Sequence, residues 1–246
     1  MGQVDGFMKY NRENPKSRDP KERIKDYKEV YTPLDKEKVK QQASRCMDCG
    51  VPFCHNGCPL GNNIPDEPVI FMKPKSALLQ PHAPFYYPEF TNELHYECEL
   101  VLRVSKNGKY IQDKFAGKYY DAVTTGIDFT ARDIQNDLKS KGLPWEKAKA
   151  WDNSAVIGKW KPFTEVKNRK EINFSLLKNK ELVQQGNSAK MIHDFDSIVS
   201  YISNFFSVNI GDVIFTGTPA GVGEAVVGDE LEGMLENESM FKLEIK

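Results

Sequence analysis

Long apolar runs are absent from this 246-residue chain, and none approaches the roughly 20 residues a helix needs to cross a bilayer. No membrane partner is expected. Neither sign of charge dominates: 34 Lys and Arg stand against 35 Asp and Glu, for a net charge of -1. That balance removes any bulk attraction to nucleic acid or anionic lipid. No G-x-G-x-x-G loop of a dinucleotide-binding fold occurs, nor any internal repeat or low-complexity tract. The opening MGQVDGFMKYNREN lacks the apolar stretch of a secretory signal, so a cytoplasmic location is the expectation. Cysteine is scarce and uneven. Cys46, Cys49, Cys54 and Cys58 fall within 13 residues, and Cys98 stands alone. In a cytoplasmic chain such a cluster reads as a metal or iron–sulfur site rather than as disulfides.

What remains is ordinary for a globular protein, with 39% hydrophobic and 28% charged residues, enough for one large or two small domains. Residues 1–45 are rich in Lys, Arg, Asp and Glu and are broken by Pro15, Pro20 and Pro33. Their one helical signal runs from Lys36 to Arg45, too little for a core of its own. The texture changes from Pro68 onward. Tyr96–Val104 alternates as a strand does, YDAVTTGIDF is a second strand candidate, and INFSLLKNKELVQQG predicts two strands turning at Asn179-Lys180. FDSIVSYISNFF carries apolar residues at helical spacing, DVIFTGTP predicts a strand entering a Gly/Pro loop, and the last 20 residues predict closing strands. The body is α+β and mostly β, with few helices.

Chemistry concentrates in His95-Tyr96-Glu97-Cys98-Glu99. On a strand, Glu97 and Glu99 face the same way while Cys98 and Leu100 face the other. Adjacent carboxylates repel unless a proton or cation lies between them, and a hard ion such as Mg²⁺ or Mn²⁺ prefers oxygen ligands. The same pattern also suits an acidic, solvent-facing strand edge. Asp128 ends an apolar strand just before Arg132 and Asp133, where an acid either points into a site or caps a helix. Arg132 and Gln135, one turn apart, either face that site and hold a substrate carboxylate or lie on the surface.

Five blocks occur in order: EPVIFMKPKSALL, HYECEL, GIDFTARDIQ, GLPWEKAKAWD and GDVIFTGTPAGVG. Together they resemble the fumarylacetoacetate hydrolase family, in its acylpyruvase and oxaloacetate-processing branch, over about residues 64–246. The resemblance implies a mixed β-sandwich or roll with a few helices, and a homodimer. It implies Glu97, Glu99 and Asp128 as ligands of Mg²⁺ or Mn²⁺, with Lys149 and Thr218 contacting substrate and metal site. A small 2-oxo acid would be the substrate, chelating the ion through its carboxylate and oxo oxygen. Acylpyruvate hydrolysis, oxaloacetate decarboxylation and tautomerisation or isomerisation all share that step.

The front end departs from the family. Its G-R-N-Y-x-x-H-x-x-E motif, whose His and Glu activate water, is missing. The matching positions hold Asn56 and Pro59, with His55 one residue out of register. Neither an amide nor a proline titrates as the dyad would. In its place Cys46, Cys49, Cys54 and Cys58 form C-x2-C-x4-C-x3-C followed by proline, a thiolate-cluster spacing that favours a 4Fe–4S centre over zinc. With GFMKYNRENPKSRDPKERIKDYKEVY, this stretch resembles the opening of the glutamate synthase small subunit over residues 1 to about 66. The flavin fold of that family does not follow, so glutamate synthase activity is excluded. The expected organisation is a charged, Cys-rich, partly helical segment at 1–63 and a catalytic domain at 64–246, joined near Leu60–Asp66. An iron–sulfur docking or electron-transfer fragment, and an inactive metal- and oxo-acid-binding chimera, are the competing expectations.

Overall fold

The computed structural model describes Lys9, Arg18 and residues 34–44, 67–81 and 83–246. Cys46, Cys49, Cys54 and Cys58, the neighbouring His55, Asn56 and Pro59, and the join near Leu60–Asp66 lie outside the described residues. The chain falls into two compact units, residues 1–69 and 70–246.

In the first unit, helix α1 (Lys36–Ser44) begins where the Asp35 side chain accepts the Lys38 N–H at 2.8 Å. This is the ordinary satisfaction of an orphan donor at a helix start.

The second unit runs β1 (Leu94–Tyr96), β2 (Cys98–Val104), α2 (Asp113–Ala116), β3 (Tyr120–Asp128), β4 (Thr130–Ala131), α3 (Arg132–Ser140) and α4 (Glu146–Lys149). It continues with β5 (Ala155–Ile157), β6 (Lys161–Pro162), β7 (Asn173–Lys178), β8 (Glu181–Asn187), α5 (Phe195–Phe205) and β9 (Val213–Phe215). The last strands are β10 (Gly223–Glu224), β11 (Glu230–Leu235) and β12 (Glu238–Glu244). One sheet has the order β5-β3-β2-β9 with β6 added beside β3, a second β12-β11-β7-β8, and a small third β10-β1-β4. Every pairing between these strands is antiparallel. Among the described residues, parallel contact is limited to single bridges, Leu78 with Ala155 and Phe85 with Ile245. The fold is mostly β with few helices. Among the described residues no helix is long and apolar enough to cross a membrane.

Local sequence explains these elements. Cys98, Leu100 and Leu102 of β2 stand across from Ile127, Thr125 and Val123 of β3 and are buried. They share one core with Phe174 and Leu176 of β7 and with Leu231 and Leu235 of β11. Two sheets thus pack by their alternating inner faces. The hairpin between β7 and β8 turns at Asn179 and Lys180, whose φ values of 53° and 70° supply the two left-handed residues a tight turn of matching twist requires. Helix α5 is capped by Asp194, whose carboxylate accepts the Ser197 N–H at 2.8 Å, and it buries Phe195, Ile198 and Val199.

The outer face of the first sheet positions the site. Glu99 is paired with Gly126, and the Asp128 N–H donates to the Glu97 carbonyl at 2.9 Å. These two backbone pairings bring Glu99 of β2, Glu97 just before it and Asp128 at the end of β3 to the same face.

Candidate metal centre and active site

The expected strand Tyr96–Val104 is interrupted. β1 ends at Tyr96 and β2 begins at Cys98, leaving Glu97 in the break. The break does not disperse the acids: Glu97, Glu99 and Asp128 are all buried, and each offers an oxygen within 4.8 Å of the others'. They form no solvent-facing edge. Asp128 does not cap a helix either, because the residue at the start of α3 is Ala131.

Three cations surround the acids. Lys149, fully buried at the end of α4, donates to Glu97 Oε2 at 2.8 Å and Asp128 Oδ2 at 2.7 Å. Its ammonium also lies 5.4 Å from the centre of the Phe71 ring. Arg132, at the first turn of α3, donates from Nη2 to Glu97 Oε1 at 2.7 Å and from Nη1 to Gln135 Oε1 at 2.5 Å. It is anchored further by its own N–H on the Glu93 carbonyl and by Nε donating to His95 Nδ1 at 3.2 Å. Lys73 lies 2.7 Å from Asp128 Oδ1 and also bonds the Lys149 carbonyl and Ser154 Oγ. Lys73, Ser154 and His95 were not singled out from the sequence as site residues. Lys73 stands at the end of the apolar run VIFMKP, where a lone lysine before a proline was the available signal.

The protonation of these groups follows from burial and neighbours. Burial raises the Asp128 carboxyl, but the charges and hydrogen bonds of Lys149 and Lys73 outweigh it and hold it below the usual range. For Glu99, burial is reinforced by the charges of Asp128 and Glu97. Its carboxyl is pushed up to about 8, against the Gly217 N–H that donates to it at 2.6 Å. Burial lowers the Lys149 ammonium, yet Asp128 and Glu97 more than restore it, so it stays protonated. Burial and the Arg132 charge lower His95, which leaves a neutral ring accepting at Nδ1 and pairing with Glu93 through Nε2 at 3.1 Å.

A hard divalent cation fits this donor set. All three donors are oxygens, they converge on an ion-sized space, and Glu99, disfavoured as an anion first by burial and then by the charges of Asp128 and Glu97, would gain a compensating charge from the ion. The buried Gln135 Nε2 has no hydrogen-bond partner among the described residues. Since its Oε1 is held by Arg132, the amide's remaining donor is left for a ligand. Thr218 is committed otherwise: its hydroxyl donates to the Cys98 carbonyl at 2.8 Å and accepts from Gln184 Nε2 at 2.9 Å. The T-G-T-P loop reaches the carboxylates through the backbone N–H of Gly217 rather than through that hydroxyl.

Residues 41–246 match the model of the fumarylacetoacetate (FAA) hydrolase C-terminal family. The oxaloacetate tautomerase YcgM of Escherichia coli (strain K12) is 36% identical over 182 residues, covering 74% of this chain and 83% of that protein. The mitochondrial oxaloacetate decarboxylase of Dictyostelium discoideum is 34% identical over 79% of this chain and 90% of its own length. The fumarylpyruvate hydrolase of Pseudomonas aeruginosa, crystallised with Mn²⁺ and pyruvate, superimposes with a TM-score of 0.70 at 32% identity. That superposition covers 76% of this chain and 82% of the other. Sequence blocks, sheet architecture and acidic centre converge with these matches: the chain belongs to the fumarylacetoacetate hydrolase family.

Proposed function

We propose that this chain is a divalent-metal-dependent enzyme acting on small 2-oxo dicarboxylates, with keto–enol tautomerisation of an oxaloacetate-type dianion as its principal reaction. One observation carries the reading: three buried carboxylates within 4.8 Å of one another, ringed by three cations. Glu97, Glu99 and Asp128 would hold Mg²⁺ or Mn²⁺, which when bound supplies Lewis-acid stabilisation of enolate charge. Three carboxylates balance Lys73, Lys149 and Arg132, so a divalent cation leaves two positive charges in excess. A dicarboxylate dianion cancels them.

The chain's own residues divide the remaining work. Lys149, protonated and rigidly held, supplies positive charge and a hydrogen bond where negative charge develops on the substrate oxygen. Gln135 offers its unpartnered amide N–H₂ to a substrate oxygen, and Arg132 fixes that amide's orientation. Tautomerisation shifts a proton between carbon and oxygen and consumes no water. It therefore does not call on the water activation that the His and Glu of family hydrolases perform where this chain has Asn56 and Pro59, while the carbon-bound proton still passes to a base. The tautomerase and decarboxylase among the relatives support the substrate class.

The test follows the ultraviolet absorbance of enol-oxaloacetate with Mn²⁺ and with a chelator, beside acetylpyruvate hydrolysis. Metal-dependent enol decay with little acetylpyruvate turnover is expected. Acetylpyruvate hydrolysis without tautomerisation would overturn the assignment of reaction. Cytoplasmic residence and a homodimer belong to the same proposal, checked by fractionation and sedimentation. For Cys46, Cys49, Cys54 and Cys58, the spacing supports a 4Fe–4S centre, and iron and sulfide analysis of anaerobically purified protein tests it.

A further inference from the structure

We infer that His95 is a positioning residue for substrate: it anchors the Arg132 guanidinium so that Gln135 presents its unpartnered amide to a substrate oxygen. This role rests on the function proposed above and concerns what holds its substrate-facing amide in place.

His95 sits on β1, the middle strand of the small sheet, where it pairs with Glu224 of β10 on one side and Thr130 of β4 on the other. Arg132 follows β4 directly, at the start of α3, and its N–H donates to the Glu93 carbonyl at 2.8 Å. Backbone pairing thus fixes the two residues against each other before any side chain acts. The imidazole is held in turn. Its Nε2 lies 3.1 Å from Glu93 Oε1, which leaves Nδ1 as the acceptor for Arg132 Nε at 3.2 Å.

A guanidinium is a rigid planar fork, so two fixed contacts settle its plane and the direction of its remaining donor. His95 on Nε and Glu97 on Nη2 are those contacts, and Nη1 then points at Gln135 Oε1. With that oxygen engaged, the buried Gln135 Nε2 keeps one orientation, with no hydrogen-bond partner among the described residues. His95 differs from the other two acceptors in what a ligand does to it. Glu97 would turn an oxygen to the metal and Gln135 its amide to the substrate, so both are disturbed as the site fills. His95 is assigned to neither, and its bond to Nε can persist throughout. An apolar ring of the same size would remove the acceptor of the buried Nε–H and let the Arg132 stem turn.

The experiment measures kcat and KM for Mn²⁺-dependent decay of enol-oxaloacetate, and the Mn²⁺ dissociation constant by paramagnetic resonance, for the full chain as wild type, His95→Phe and His95→Asn. A contact that only holds the bound substrate acts alike before and during the reaction, so its loss appears in KM. His95→Phe keeps a ring and loses the acceptor. It should raise KM about tenfold, with kcat changed less than about threefold and Mn²⁺ affinity less than about twofold. His95→Asn, whose amide oxygen can stand where Nδ1 does, should recover most of the wild-type KM. His95→Leu serves if the Phe variant does not fold, and should raise KM in the same way. An unchanged KM in a folded Phe or Leu variant, or an Asn variant as impaired as the Phe one, overturns this inference alone. So does a fall in kcat or in Mn²⁺ affinity in place of the KM rise. A wild-type chain with no metal-dependent enol decay overturns the proposed function and the inference with it.

Discussion

Replacing Lys149 by Met removes the one cation shared by two acids, and its effect on stability is calculable from the burial. Lys149 and Glu97 are almost wholly enclosed, and both carboxylates that the ammonium touches lose a partner at once. Breaking a buried ion pair from one side costs about 3–5 kcal/mol, because the remaining charge stays buried. For a unit of this size about 1 kcal/mol corresponds to about 2–4 °C of melting temperature, so in chelator the variant should melt roughly 6–20 °C lower. A divalent cation would supply the missing charge. Its affinity should rise once the competing ammonium is gone, and each tenfold gain in affinity adds about 1.4 kcal/mol at fixed saturating metal. Differential scanning fluorimetry of wild type and Lys149→Met, with chelator and with saturating Mn²⁺, reads both effects. Mn²⁺ should stabilise the variant more than the wild type. Equal melting temperatures in chelator, or equal Mn²⁺ shifts in both proteins, would refute the reasoning.

Other perturbations follow from separate parts of the structure. Asp194→Ala removes the cap of α5 and should cost about 1 kcal/mol at neutral pH, or about 2–4 °C in a melting experiment. The Ser197 N–H holds the Asp194 carboxyl below its ordinary value, so this stabilisation is complete above the unfolded value of about 3.9 and lost as pH falls through the lower folded one. Wild-type and variant melting curves taken at successively lower pH should therefore converge. Gly126→Ala would drive a methyl to 2.5 Å from the Val156 carbonyl oxygen and 2.8 Å from Val101 Cγ2. It should destabilise by about 1–3 kcal/mol in chemical denaturation, and a neutral result would show that β3 and β5 separate more easily than their packing implies.

Local patterns were the legible part of the fold. The β7–β8 hairpin turns where Asn179-Lys180 was expected, and Phe195–Phe205 is helical as its apolar spacing predicts. Both depend on neighbours in the chain. The break at Glu97 was not legible, because strand alternation carries through it and only the pairing of β1 with β4 and β10 makes Tyr96 an end. The acid triad was reachable from E-x-E and a later Asp, whereas the lysine on the far oxygen of Asp128 was not. Lys73 and Ser154 are 81 residues apart, and no periodicity links them. Thr218 shows the opposite limit: its block was visible, but its hydroxyl is taken up by a strand carbonyl that only the folded chain presents.

The most direct measurement titrates Mn²⁺ into the wild-type chain and into Glu97→Gln while recording the paramagnetic resonance of the free ion. One Mn²⁺ should bind per wild-type chain, and the variant, short of a buried ligand charge, should bind at least about 100-fold more weakly. Equal binding by both proteins would place the metal away from Glu97, Glu99 and Asp128 and contradict the proposed centre.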